Sequence, residues 1–224
     1  MALVSFFDRQ PPDDPFALLA DAVERQGYAI QENFLSAHQV HDLLQVLHRL
    51  RSEEDALQPA GVGRGEAFQT NEFVRKDAIH WLDGTVPATQ DFLAQMRLLQ
   101  QTMNRRLFMG LFDYEAHFAL YPPGGFYKKH LDAFQGQTNR RLSTVLYLNF
   151  DWQPQDGGAL RCYAPDDPQQ ILFDLAPQAG TLVVFESERF WHEVLPAQRP
   201  RFSIAGWFRI NSSTRHRVDP PLWQ

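Results

Sequence analysis

The chain has 224 residues, 44% of them hydrophobic and 13% aromatic, enough for one large domain with a sizeable core. Its 21 Lys plus Arg against 27 Asp plus Glu give a formal charge of −6 without basic runs, so neither a nucleic-acid nor a membrane-surface binder is expected. The single cysteine, Cys162, excludes an internal disulfide framework and a cysteine-rich zinc site, and no apolar run approaches the roughly 20 residues of a membrane helix.

In chain order, MALVSFFDRQPPDD has no basic n-region and is not expected to be a secretory signal. Pro11, Pro12 and Pro15 mark a lead-in, and Asp13 or Asp14 is placed to cap a first helix. From Pro15 to Gln26, Phe16, Leu18, Leu19, Ala22 and Val23 recur at helical spacing; Gly27 suits the stop, and YAIQENFL reads as a strand. Ser36 caps a second helix with Val40, Leu43, Leu44, Leu47 and Leu50 on one stripe. QPAGVGRGEAF is glycine-rich and reads as loop or hairpin. A third helix runs from about Thr89 to Phe108, with Phe92, Met96, Leu99, Met103 and Leu107 on one side.

After Gly110 the period changes to two. HFALYPP, FYKKHLDAF, LSTVLYLNF, GALRCY, QQILFDL, GTLVVFE, WHEVLP and RFSIAGWF each suit a strand, separated by the turn-formers PPGG, QDGG, PDDP and PQAG. This pattern predicts a mainly β fold: a double-stranded β-helix, or jelly roll, braced by the helices of the N-terminal half. A single domain over 1–224 is expected, with helical support over about 13–109, the jelly-roll core over about 114–210 and a polar tail over 211–224.

His130 and Asp132 stand one residue apart in a predicted strand, so their side chains are expected on one face. His192 lies in the distant strand segment WHEVLP. Two histidines and a carboxylate form the facial triad that holds non-heme Fe(II) and leaves positions open. Arg201 follows His192 across PAQRP, so two adjacent antiparallel strands would present both to one cavity. Arg201, Ser203, Ala205 and Trp207 alternate inward along the last strand. A buried guanidinium beside a metal needs an anion and grips a carboxylate bidentately, which points to a dicarboxylic cosubstrate such as 2-oxoglutarate.

With HxD, a distal histidine and the following arginine, the chain resembles the 2-oxoglutarate and Fe(II)-dependent dioxygenases, and within them the prolyl hydroxylase domain enzymes. The likeness covers about residues 62 to 209 and is carried by VRKDAIHWLDG, HFALYPPGG through FYKKHLD, TVLYLNFDW, GGALRCY and FWHEVLPAQRPRFSIAGWF. PAGVGRG, RRLFMGL and HFALYPPG are similar to bacterial members that hydroxylate a proline of elongation factor Tu.

The resemblance implies Fe(II) ligands at His130, Asp132 and His192, with Arg201 gripping the far carboxylate of 2-oxoglutarate. It puts Tyr121, Tyr147, Leu160 and Ser203 around that cosubstrate. Ile79, Trp81, Tyr127, Arg140 and Trp207 are implied on the substrate side, and Arg75 with Asp77 as an ion pair ending a loop of roughly residues 65–74 that closes over substrate. The implied reaction is hydroxylation of a prolyl residue, trans-4, in a protein substrate, elongation factor Tu, with O2 consumed, succinate and CO2 released and ascorbate as reductant. A cytoplasmic monomer is expected. The Tyr121-to-His130 spacing is shorter than in the animal enzymes, and Lys76 stands where those have glycine.

Plainer readings stand beside these. The triad suits a satisfied polar network in a cupin-like binding module, the same chemistry serves a free amino acid or small peptide, and with Zn(II) the ligand set suits a hydrolase. His38 and His41 read as surface residues of the second helix, His80 as pointing away from the pocket and His216 as solvent-exposed. His117 suits either contact with the site or simple core. Phe118, Phe150, Phe185 and Phe202 read as core, Cys162 as a small buried hydrophobe, and Lys128 and Lys129 as a solvated edge.

Overall fold

The computed structural model describes residues 14–53, 56–62, 69–70, 74–133 and 139–211. His216 and most of the predicted closing loop lie outside them. Helix α1 (Ala17–Gln26) buries Leu19, Ala20 and Val23 and ends at Gly27, whose φ of 82° is left-handed. Leu18 of its expected stripe is instead 83% exposed. Asp14 is not the N-cap; its carboxylate accepts from Phe16 N–H, Thr102 and Arg105, tying the entry of α1 to α3 (Pro87–Leu107). Strand β1 (Tyr28–Gln31) is shorter than predicted, because the chain turns through Asn33 at positive φ. Helix α2 (Ala37–Ser52) opens on a capping box: Ser36 Oγ accepts from Gln39 N–H while Gln39 reaches back to Ser36 N–H.

Of the glycine-rich segment, the described residues hold two short strands, β2 (Gln58–Pro59) and β3 (Gly61–Val62), and β3 pairs with β4 (Gln69–Thr70) just beyond it. Strand β5 (Ala78–Trp81) precedes α3. The eight predicted strands all follow: β6 (Leu111–Tyr121), β7 (Tyr127–His130), β8 (Arg140–Tyr147), β9 (Leu160–Tyr163), β10 (Ile171–Leu175), β11 (Leu182–Glu186), β12 (His192–Val194) and β13 (Arg201–Ile210). They form two antiparallel sheets, a larger one in the order β1-β11-β8-β13-β6-β5-β2 and a smaller one in the order β10-β9-β12-β7. Four core strands in each sheet make the jelly roll.

Alternation sorts the larger sheet's residues between two cores. Tyr114, Ala116, Phe118, Leu142, Leu146, Leu182, Val184, Ile204 and Phe208 pack with the helices. Ala119, Tyr121, Tyr147, Val183 and Phe185 face the smaller sheet's Leu160, Cys162 and Val194. Gly206 has no side chain because Tyr114 crosses over it: a Cβ there would collide with the Tyr114 hydroxyl, which bonds Thr144 Oγ1 at 2.8 Å. Of the four phenylalanines expected in the core, Phe118 and Phe185 are fully buried and Phe202 packs partly buried. Phe150 is not core. It is 37% exposed, since β8 has ended and Asp151 turns the chain at φ 52°.

Candidate metal and cosubstrate site

Among the described residues one group of potential metal ligands converges: His130, Asp132 and His192, whose ligand atoms lie within 4.8 Å of one another. Asp132 Oδ1 is 3.5 Å from His130 Nε2, and its Oδ2 is 3.6 Å from His192 Nε2. Strand alternation does not bring the first two together, because β7 ends at His130 and Asp132 stands in the bend beyond it. The second histidine arrives by pairing: His192 of β12 is the cross-strand partner of His130.

Backbone carbonyls set both imidazoles. His130 Nδ1–H donates to the Lys128 carbonyl at 2.7 Å and His192 Nδ1–H to the Phe190 carbonyl at 3.0 Å. A carbonyl can only accept, so Nδ1 carries a proton in both rings and each Nε2 is the atom turned toward Asp132. Burial, then His130, lowers the His192 pKa to about 4, keeping it a neutral donor. Burial opposes ionisation of Asp132, but His192, His130 and Arg140 together hold its pKa well below the usual carboxylate range. A carboxylate and two imidazoles converging on one point suit Fe(II) with open positions.

Arg201 lies across the inter-sheet space rather than beside His192. β12 belongs to the smaller sheet and β13 to the larger, which corrects the adjacency expected from their closeness in sequence. Its side chain is 1% exposed. Nε donates to the Gly158 carbonyl at 2.9 Å and Nη1 to Ser203 Oγ at 3.3 Å, and the guanidinium stands 5.1 Å from the Tyr121 ring and 5.2 Å from the Tyr147 ring. Arg201 Nη2 and the Tyr147 hydroxyl are buried without a hydrogen-bond partner, and no carboxylate among the described residues pairs with Arg201. Burying a charge and a hydroxyl in this way is costly unless a ligand completes them, and a carboxylate satisfies both at once. Burial raises the Tyr147 pKa, so its hydroxyl stays a donor. Gly158 takes φ 68°, and a Cβ there would stand 2.8 Å from Ala197 Cβ and 3.1 Å from Trp152, so only glycine lets its carbonyl hold Arg201.

The inward faces of β6 and β13 pair residue by residue: Arg201 with Tyr121, Ser203 with Ala119, Ala205 with His117, Trp207 with Glu115 and Arg209 with Asp113. At about 3.3 Å per residue, Arg201 and Trp207 stand about 20 Å apart along the strand. Leu160 and Tyr121 share the core cluster around Tyr147, and Ile79 packs against it. Tyr127 stacks on His130 at 3.6 Å between ring centroids, and Arg75, held by Asp77 through two hydrogen bonds of 2.8 and 2.6 Å, lies 4.4 Å over Tyr127. Trp81, 48% exposed, meets His117 edge-on at 5.0 Å, and Trp207 lies 5.4 Å from the same imidazole. His117 is therefore a buried ring in contact with Trp81 and Trp207, and burial lowers its pKa to about 3.

Cys162 is buried between the sheets, where desolvation lifts its thiol to about 12; it is a core residue. His80 turns its Nδ1 to the Ala56 carbonyl at 2.7 Å. Lys129 is engaged rather than solvated, 3.7 Å over the Tyr163 ring and donating to the Pro168 carbonyl. Sequence reasoning missed Glu115, Asp113, Arg209 and Gly158. Glu115 had a signal, as a carboxylate in register with His117, Ala119 and Tyr121 on an otherwise inward face.

Comparisons agree with this geometry. Residues 116–209 match the model of the 2OG-Fe(II) oxygenase superfamily. The chain is 43% identical to a prolyl-4-hydroxylase from Pseudomonas putida, with TM-score 0.79, covering 88% of this chain and all of that one. A Trichoplax adhaerens prolyl hydroxylase, solved with a hypoxia inducible factor peptide fragment, is 25% identical with TM-score 0.76 over 88% of this chain and 90% of its own. The Caenorhabditis elegans hypoxia-inducible factor prolyl hydroxylase is 32% identical over 201 residues, 83% of this chain, and human Egl nine homolog 1 is 27% identical over 203 residues, 85% of this chain. The matches span 27% and 45% of those two proteins, less than half of either. With a converged His-Asp-His triad and 43% identity along the whole Pseudomonas chain, this chain belongs to the 2OG-Fe(II) oxygenase superfamily, which works with Fe(II), 2-oxoglutarate and O2.

Proposed function

We propose that the protein is a 2-oxoglutarate-dependent prolyl hydroxylase acting on a protein substrate, elongation factor Tu, in the cytoplasm. The observation that carries the cosubstrate is the buried Arg201, with Nη2 and the neighbouring Tyr147 hydroxyl both lacking a partner. His130, Asp132 and His192 would hold Fe(II), and Arg201, Tyr147, Ser203 and Tyr121 the distal carboxylate of 2-oxoglutarate against Leu160. With O2, the bound metal and cosubstrate supply the oxidation that turns a C–H bond into C–OH while releasing succinate and CO2.

The protein's part is positioning. Asp132 and the carbonyls of Lys128 and Phe190 fix the two imidazoles, and the apolar residues between the sheets exclude water. Trp81, Tyr127 and Trp207 offer rigid flat surfaces to a pyrrolidine ring, and Ile79 closes one side. The exposure of Trp81 supports a substrate reached as part of a chain rather than one enclosed as a free amino acid. The likeness to the Pseudomonas and Trichoplax proteins supports the prolyl reading.

Mass spectrometry of elongation factor Tu from the same host, incubated with the protein, Fe(II), 2-oxoglutarate, ascorbate and air, tests all three levels. One oxygen added at a proline, absent with Asp132→Ala, is the expected result. Succinate without added oxygen would remove the substrate and keep the oxygenase. Neither signal would leave a binding module.

A further inference from the structure

We infer that Glu115 is a positioning residue for the substrate wall, holding Arg140 face-on against the Trp207 indole. The inference rests on the prolyl hydroxylase reading for its functional meaning and on local geometry for its substance.

Trp207 is 8% exposed, and its Nε1 has no acceptor among the described residues, so no hydrogen bond of its own fixes the ring. A guanidinium does so instead: Arg140 Cζ lies 3.6 Å over the indole. That arginine is held by Glu115, whose Oε1 accepts from Arg140 Nε at 2.7 Å and forms an ion pair with Nη2 at 2.7 Å. Glu115 is 2% exposed, is the cross-strand partner of Trp207 and has Arg209 Nε 3.8 Å from its other oxygen. Arg209 pairs in turn with Asp113. A buried ion pair seldom repays its desolvation in stability, so a cluster of this kind is weak as a stabilising device. Its geometric effect is definite: the carboxylate holds the Nε–Nη2 edge of the guanidinium while the guanidinium face meets Trp207. The arrangement repeats that of Asp77, Arg75 and Tyr127 beside His130.

The assignment makes a prediction that a merely structural role does not. If Glu115 acts on Trp207 through Arg140, removing its charge loosens the indole only while Arg140 is present, whatever it does to Arg209. The test compares Glu115→Gln, Arg140→Met and the double variant in the full-length protein. Trp207 fluorescence is isolated as the difference from matched Trp207→Phe backgrounds. Glu115→Gln is expected to shift the Trp207 emission to the red and raise its acrylamide quenching constant at least about twofold. The same change made in Arg140→Met is expected to add nothing. With elongation factor Tu as substrate, KM is expected to rise about tenfold in each single variant and no further in the double variant, as loss of one charge-assisted contact implies. The 2-oxoglutarate affinity, read by titration with Mn(II) under nitrogen, is expected to change less than twofold.

Unchanged Trp207 emission and quenching in Glu115→Gln, or additive effects in the double variant, would overturn the inference. A wild-type protein inert toward elongation factor Tu would sink the substrate assignment, and the fluorescence arm would still decide the role of Glu115. Should Glu115→Gln fold poorly, Arg140→Lys probes the same stack: it keeps the charge and loses the planar face, and the Trp207 signal is expected to loosen as in Arg140→Met.

Discussion

Replacing Arg201 with methionine separates a residue kept for a ligand from one kept for the fold. In the free protein the guanidinium makes two hydrogen bonds, to the Gly158 carbonyl and Ser203 Oγ, and leaves Nη2 buried without a partner. Losing those bonds costs about 2 kcal/mol, while removing an uncompensated buried charge recovers an amount of the same order or larger. The melting temperature without ligand is therefore expected to rise or to fall by less than about 4 °C, given about 2–4 °C per kcal/mol at this size. With 2-oxoglutarate the account reverses. Two charge-assisted bonds of about 1.5–3 kcal/mol each are lost, so affinity is expected to fall at least about 100-fold. Calorimetric titration of 2-oxoglutarate into Mn(II)-loaded protein under nitrogen measures the second quantity, and thermal melting with and without 2-oxoglutarate measures both. A variant that melts more than 10 °C lower yet binds 2-oxoglutarate normally would show that Arg201 supports the fold, and the cosubstrate assignment would fall with it.

Three further outcomes are expected. His117, with its pKa lowered to about 3 from an ordinary 6.5, leaves the unfolded chain holding an extra proton between those values. Stability is thus lost as pH falls through that window, at up to about 1.4 kcal/mol per pH unit. His117→Met is expected to flatten the unfolding free energy between pH 6 and pH 4 by up to one proton, read from denaturant melts; an unchanged slope would contradict the burial argument. Ser36→Ala removes the side-chain acceptor of a capping box and is expected to cost about 1 kcal/mol in the same melts, leaving 2-oxoglutarate affinity unaltered. Gly206→Ala forces the Tyr114 hydroxyl off Thr144 and is expected to cost at least about 3 kcal/mol; a loss under 1 kcal/mol would mean that Tyr114 moves aside freely.

Much of the fold was legible because its signals are local. Ser36 with Gln39 announces α2, and alternation locates the eight strands after Gly110. Phe92, Met96, Leu99 and Met103 mark the buried stripe of α3. What was not legible depends on pairing. Period two states that Arg201 and His192 point inward, but not that their strands belong to different sheets. Nor does it state that β7 stops at His130 and leaves Asp132 to a bend. Strand β5 escaped because four residues carry no period, and it holds its place by pairing with β6. Phe150 and Leu18 were misplaced because hydrophobicity alone does not say where a strand ends or how wide a helix's buried stripe is.

The part of the site carried by β13 was nevertheless readable, and the reason lies in its register. Slipping β13 by one residue against its neighbours would turn Arg201, Ser203, Trp207 and Arg209 toward the helices, where Ile204 and Phe208 now pack. Two guanidiniums would then enter an aliphatic core without Glu115, Asp113 or a ligand carboxylate to meet them, at several kcal/mol each. Ile204 and Phe208 would in turn line the pocket. Because both faces of β13 are buried and chemically opposite, each specifies the other. The gradient from Arg201 at one end to Trp207 and Arg209 at the other is therefore a direct consequence of which residues alternate in RFSIAGWFRI.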